Sequence, residues 1–347
     1  MQAKYRQSRF EVLRIIAMCG IVIMHYMNSE IGGGIQKPVF PNFSWMFVHS
    51  VSSICIPLVN CFVLISGFFM VKRRYFSLRK TVDLLLITTF YGIISYMISI
   101  ATGNSVFTGM GLVYAIIPFF EGTRWFVETY IILILIAPFL NKMLRDLNKH
   151  SFQLLLTIQL LIFSGWYSVG PSAPLLDDGY GIINFISLYM IGAYIRIFGK
   201  GMVLNQFGKI KLFLMFLGSS ILTFVLSYFS NPYGYAFFTN IFGATVLFIL
   251  FSKWDIGENK KINTISKVTF DVYFVHSDKK TSLLLIYELL GAKYVADTPW
   301  IVLHIILVTI VVWILGYCIF CIRTKVFETT IDRVLDGIDF INKKEEI

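Results

Sequence analysis

The chain has 347 residues, of which 56% are hydrophobic and only 14% charged. Soluble domains carry roughly 25% charged residues, so a water-soluble globule is excluded; a mean hydropathy of +0.72 excludes disorder, which needs low hydrophobicity and high charge. The net charge of +10 reads as loop charge that orients membrane helices, not as a nucleic-acid surface, because the sequence has no aromatic-plus-basic runs of the single-strand-binding kind.

A membrane span needs about 20 apolar residues. Ten are predicted in chain order: 10–28, 47–70, 82–101, 124–141, 152–169, 181–198, 212–230, 235–252, 268–290 and 300–322. The stretch 107–120 is apolar but short, and reads as interfacial or re-entrant. Glu128 interrupts the fourth span, and Asp278-Lys279-Lys280 the ninth. The first span lacks a small-x-small cleavage site and reads as a retained helix. With a cytoplasmic N-terminus, all but six of the 30 basic residues fall in inner segments; the six are Arg14, Lys37, Arg124, Lys279, Lys280 and Lys293. An odd span count would destroy this asymmetry. The expected fold is therefore an all-α polytopic membrane protein with about ten transmembrane helices and both termini cytoplasmic. Residues 1–322 form its transmembrane domain. In the tail, 323–347, Phe327, Ile331, Val334, Leu335, Ile338 and Ile341 recur at steps of three and four, as in an amphipathic helix lying on the inner membrane surface. The five cysteines lie in apolar stretches; Cys318 and Cys321 have redox spacing but sit inside a span and read as packing.

Ionisable residues inside a span cost several kcal/mol unless they face a partner or a cavity. The first span contains Glu11, Arg14 and His25. At about 100° per residue, Arg14 and His25 lie within roughly 20° of each other and about 16 Å apart along the axis; Glu11 shares the stripe. Ser8-Arg9-Phe10-Glu11 has capping-box spacing. A polar seam facing the protein interior is one reading; a snorkelling or i,i+3 pair of Glu11 with Arg14 and an interfacial His25 is the other. After the second span, Asn60, Ser66 and Gly67 precede a cationic run, Lys72-Arg73-Arg74 through Arg79-Lys80. This is either positive-inside charge that attracts anionic lipid or a phosphate clamp, for which arginine is suited by its bidentate geometry. Arg124-Trp125-Phe126-Val127-Glu128 opens the fourth span, and Phe270-Asp271-Val272-Tyr273 leads to His276 and Asp278 in the ninth. Those last two are deep enough to need partners, in a structural His–Asp network or a catalytic role. The sequence shows no metal triad, nucleophile elbow or phosphate-binding glycine loop.

At these positions the chain resembles the acyltransferase 3 family, in particular its bacterial surface-polysaccharide O-acetyltransferases. Arg9-Phe10-Glu11-Val12-Leu13-Arg14 followed by His25 is similar to the family's opening, and Phe62 through Ser66-Gly67-Phe68 to its SGF segment. Arg124-Trp125-Phe126 through Asn141, Leu188 through Tyr194, and Val272 through His276 resemble later spans. The arginines depart from the family's R-x-x-R spacing, because Arg73 and Arg74 are adjacent and Arg79 lies further on. The ninth span departs too, reading Ser277-Asp278 after His276. The resemblance implies ten helices, acyl-CoA as donor, a hydroxyl acceptor, and central roles for His25 and Arg14.

The expected function is transfer of an acetyl or other short acyl group from acyl-CoA to a hydroxyl of a cell-surface or lipid-linked sugar, at a bacterial plasma membrane. His25 is expected as general base, with Arg14 and Glu11 lining the seam. Arg73, Arg74 and Arg79 are expected to hold the phosphates of acetyl-CoA, with Ser66 and Gly67 allowing close approach near the thioester. Trp125, Glu128, Tyr273, His276 and Asp278 are expected to support the substrate. No metal and no nucleic acid is expected; membrane lipids are the surroundings. The alternative is a polysaccharide or lipid-linked sugar transporter that performs no acyl transfer.

Overall fold

In a computed structural model the chain is helical, with no strand among the described residues. These are residues 7–28, 43–74, 78–117, 124–170, 178–295 and 298–342, with backbone alone for Leu78, Lys280 and 326–342. The helices are α1 (Ser8–Met27), α2 (Phe43–Met70), α3 (Leu78–Ala101), α4 (Gly109–Ile116), α5 (Trp125–Asp146) and α6 (Lys149–Leu160). A π-helical turn, Leu161–Gly165, joins α6 to α7 (Trp166–Val169). Then come α8 (Ile182–Phe198), α9 (Lys209–Leu226), α10 (Phe238–Ser252), α11 (Lys260–Lys267), α12 (Thr269–Ser277), α13 (Lys279–Ser282), α14 (Ala292–Val295) and α15 (Ile301–Asn342). A second π-helical stretch, Leu283–Leu289, follows α13.

Eight helical stretches among the described residues are long and apolar enough to cross a membrane, and the chain is a multi-pass membrane protein. The other two predicted spans differ in form. The eighth is a 15-residue apolar helix, α10. The ninth is broken: α12 stops at Ser277, Asp278 is extended, and the Asp278 carboxylate accepts hydrogen bonds from the Thr281 N–H (3.0 Å) and hydroxyl (3.0 Å). A carboxylate used this way starts a new helix instead of continuing the old one. The apolar stretch after residue 106 forms the short, largely exposed helix α4, capped by the Thr108 hydroxyl. The amphipathic reading of the tail falls on side chains outside the described residues; the backbone of α15 is one continuous helix through position 322.

Helix α2 is the axis of the bundle, packing on α1, α8, α9 and α10. Its apolar window is 83% buried, against 22% for α15. The peripheral helices turn Phe213, Leu214 and Ile221 of α9 and Leu303, Ile306 and Ile310 of α15 outward, as a lipid-facing surface requires. Two glycines set the central contact. A Cβ on Gly67 would lie 2.1 Å from the Tyr189 carbonyl oxygen, and one on Gly192 would lie 2.2 Å from that of Leu64. The α2 and α8 backbones therefore touch directly, the small-residue packing favoured where lipid supplies no hydrophobic drive.

The capping box does not form. The N-cap of α1 is Gln7, without a side-chain cap. The Ser8 hydroxyl donates to Asn263 (3.0 Å) and accepts from the Asn259 N–H, while the Ser266 hydroxyl donates to Glu11. Tertiary partners on and before α11 take both side chains, so α1 is tied to α11 rather than capped by itself.

Candidate active site

The site is built where α1, α2, α5 and α12 converge. They line a narrow cavity bordered by His25, Phe62, Trp125, Tyr235, Phe270 and Tyr273, among others. Its wall is mainly aromatic. Trp125 stacks on Tyr235 at 5.1 Å, with Tyr180 edge-on to both.

His25 lies near the C-terminal end of α1, with its ring 5.0 Å from that of His276 on α12. The break after α12 matters here, because carbonyls in the last turn of a helix lack helical partners. The His276 main-chain carbonyl acts on the His25 ring, and the His276 Nδ1–H donates to the Val272 carbonyl. Two nitrogens remain, His25 Nδ1 and His276 Nε2, both buried and without a partner. Over 90% of buried polar groups in native proteins are satisfied, and each orphan costs about 1–3 kcal/mol. An orphan on His25 in the cavity wall, with a second beside it on His276, marks a place kept for something else to bind.

At the end of the bundle where α1 begins, Glu11 and Arg14 form an ion pair at 2.7 Å. The i,i+3 pairing is thus the arrangement present, and Ser266 completes Glu11. Arg14 also acts electrostatically on Tyr130 of α5. The Tyr130 hydroxyl lies 2.7 Å from Ser66 Oγ and accepts from Lys80 Nζ at 2.8 Å. Tyr130 stands behind Phe126 and Phe270, with ring centres 6.0 and 6.3 Å away, and so joins the basic end to the cavity wall. Gly67 makes its close approach to the α8 backbone.

The cationic turn after α2 is held in place by α5. Asn141 donates to the carbonyls of Met70 (2.8 Å) and Arg73 (3.2 Å), and Arg145 to those of Val71 (3.2 Å) and Arg73 (2.9 Å). Tyr189 orients Asn141 with a 2.6 Å hydrogen bond to its Oδ1. Arg73 Nε is buried and unpartnered, whereas Arg74 is exposed and Arg79 half-buried. Residues 75–77 between them lie outside the described residues.

Of the remaining predicted residues, Tyr273 and Trp125 line the cavity. Glu128 is half-buried on α5, accepting from the Arg124 N–H at 3.3 Å. Asp278 is engaged with Thr281 and not with His276; no His–Asp pair forms. Sequence reasoning assigned no role to Tyr130, Asn141, Arg145 or Tyr235, nor to buried Arg124, which lies over the Phe274 ring at 5.7 Å. Asn141 stood in a quoted motif, but its partners are on other helices.

A helical membrane protein with a bare imidazole nitrogen on His25 at an aromatic internal cavity, a second on His276 behind it, and a cationic turn at one end of the bundle, is built for chemistry inside the bilayer. The family model described as an acyltransferase domain matches residues 7–318, and the chain belongs to that family, acyltransferase 3. It is a membrane acyltransferase. No curated protein and no solved structure matches the chain.

Proposed function

We propose that the protein moves an acetyl or other short acyl group from acyl-CoA to a hydroxyl of a cell-surface or lipid-linked sugar, in a bacterial plasma membrane with both termini cytoplasmic. The observation that carries this reading is the buried, unpartnered Nδ1 of His25 on the cavity wall, in a chain of acyltransferase family. A neutral imidazole with one nitrogen unpartnered has a lone pair available to accept a proton.

In the proposed step, His25 Nδ1 takes the proton of the acceptor hydroxyl as the sugar oxygen bonds to the thioester carbon. Collapse of the tetrahedral intermediate breaks the C–S bond, and the imidazolium returns the proton to the CoA thiolate. Trp125 and Tyr235 offer ring faces to the sugar, and Tyr273 offers a hydroxyl towards the developing oxyanion. On the cytoplasmic side, Arg73, with Arg74 and Arg79, holds the phosphates of acyl-CoA. Arg14, paired to Glu11, supports the Ser66–Tyr130–Lys80 cluster between that clamp and the cavity. Because Phe126 and Phe270 separate Tyr130 from the cavity, the thioester arm reaches His25 when one of those rings turns.

The test is His25→Ala in the full chain. CoA-thiol release from acetyl-CoA is measured on purified protein, and the acetyl mass increment on surface glycans is measured in cells. Loss of both, with normal membrane insertion, is expected. Retained transfer removes His25 from the reaction, and sugar flux without acetyl-CoA consumption replaces the reading by transport.

A further inference from the structure

The two imidazoles pose a problem that one base does not. In hydrolase triads a carboxylate holds the imidazole and compensates its charge when it protonates. Here a carbonyl does the holding for His276, that of Val272, and the His276 carbonyl acts on His25. Each ring keeps a buried nitrogen without a partner, and a neutral pair presents them as acceptors. Two acceptors cannot bond each other, and the pair lies apart as long as both are neutral. One added proton changes this, because either ring then becomes a donor to the other, in a charge-assisted bond of about twice the strength of a neutral one.

The ring centres are 5.0 Å apart, with planes inclined at 50°, and neither nitrogen yet has the other as a partner. A linear N–H···N contact of about 2.9 Å needs one ring to turn towards the other.

The other ionisable groups nearby are already committed. On α1, Tyr26 is bonded to His304 of α15 at 2.8 Å, and His304 is bonded in turn to the Leu290 carbonyl. On α12, Asp271 is matched by Arg323 of α15 and Tyr91 of α3. Arg124 and Glu128 of α5 act on Tyr273. Helix α2 gives this wall only Val59 and Phe62, and Tyr235 completes it. Among the described residues, the ring beside His25 that carries an unpartnered nitrogen is that of His276.

We propose that His25 and His276 work as one base, the proton from the acceptor hydroxyl being held between His25 Nδ1 and His276 Nε2 until the CoA thiolate takes it back. His276 is a positioning residue for that proton and acts through His25. No electron changes hands: the O–H bond breaks, N–H forms, C–O forms, C–S breaks, and N–H gives way to S–H. This rests on the proposed role of His25 and adds to it the device that stabilises an imidazolium in a site without a carboxylate.

The test uses His276→Asn in the full chain in lipid bilayers. An asparagine amide nitrogen takes the place of Nδ1 and keeps the bond to Val272, while Nε2 is removed. Acetyl-CoA turnover is followed by CoA-thiol release. The expected result is about a hundredfold loss in kcat, the scale of one acid–base partner, with KM for acetyl-CoA unchanged. Independently, solid-state NMR of ¹⁵N-histidine-labelled protein is recorded across pH 4–9, with His25→Asn and His276→Asn used for assignment. The pair is expected to take up a single proton shared by both rings, and His25 in the His276→Asn variant to titrate as an isolated imidazole at a different pH. Titration of His25 unchanged by His276→Asn overturns the proposal, with or without measurable turnover. A His25→Asn variant that stays active overturns the base assignment instead. An inactive His25→Asn beside a His276→Asn with wild-type kcat overturns the shared proton alone.

Discussion

The Arg323 guanidinium meets the Asp271 carboxylate at two points, Nε to Oδ1 at 2.9 Å and Nη2 to Oδ2 at 3.2 Å. The Tyr91 hydroxyl donates to the same carboxylate at 3.0 Å. Asp271 lies on α12, five residues before His276, so this ion pair fixes the helix that presents the second imidazole against α15 and α3. Removing one partner leaves a buried charge uncompensated, which costs about 3–5 kcal/mol. Arg323→Ala is therefore expected to lower thermal stability strongly in detergent. Arg323→Met with Asp271→Leu, which removes both charges, is expected to recover most of it. Fluorescence-monitored unfolding checks the order of the three proteins.

Gly67→Ala forces a methyl to within 2.1 Å of the Tyr189 carbonyl oxygen, so α2 and α8 must separate. Overpacking of this kind costs about 1–3 kcal/mol. Gly218→Ala is the control: nothing lies within 4 Å of its added Cβ, and replacing a helical glycine gains about 0.5–1 kcal/mol. The two variants are expected to shift the unfolding temperature in opposite directions.

Asn141→Ala removes the donor to the Met70 and Arg73 carbonyls and orphans the Tyr189 hydroxyl. Unsatisfied buried groups cost about 1–3 kcal/mol each, and the cationic turn loses its brace. If that turn clamps the phosphates, KM for acetyl-CoA rises about tenfold, equivalent to about 1.4 kcal/mol, with kcat little changed. Equilibrium binding of acetyl-CoA to the purified variant measures it.

Tyr130→Phe keeps the ring beneath Lys80, whose ammonium lies 4.8 Å from its centre, but deletes the hydroxyl that joins Lys80 to Ser66. A loss of about 1–3 kcal/mol in stability is expected. Lys80→Met in the Tyr130→Phe background is expected to add little, because the partner is already gone. A double-mutant cycle reads the coupling.

Lys293 pairs with Glu288 on the surface between the π-helical stretch and α15. The Glu288 side chain beside it raises the Lys293 pKa above its ordinary value. A raised lysine pKa adds stability that is complete below the unfolded value near 10.5 and lost as pH rises through the folded one, so none of it varies near neutrality. Exposed pairs contribute little. Lys293→Ala is expected to leave unfolding at pH 7 and acetyl-CoA turnover unchanged.

Composition alone determined that this chain lives in a bilayer: at 14% charge it has too few polar groups to coat a globule. Hydropathy also located the helices, because a span is a local property of about 20 consecutive residues. It placed the interruption at Asp278 correctly, since a charge amid apolar residues is visible without coordinates. His25 stood out for the same reason.

Partners were not legible in this way. That Glu11 meets Arg14 was within reach of i,i+3 spacing; that Ser266 also meets Glu11, or that Arg323 meets Asp271, was not. Those contacts join residues 255 and 52 positions apart, and helix periodicity reports a face without naming what covers it. The capping box failed for that reason, its two side chains being claimed by distant polar groups. The same holds for the site. The sequence supplied two histidines on separate helices, and only the packing of α1 against α12 brought their rings to 5.0 Å and left one nitrogen of each without a partner.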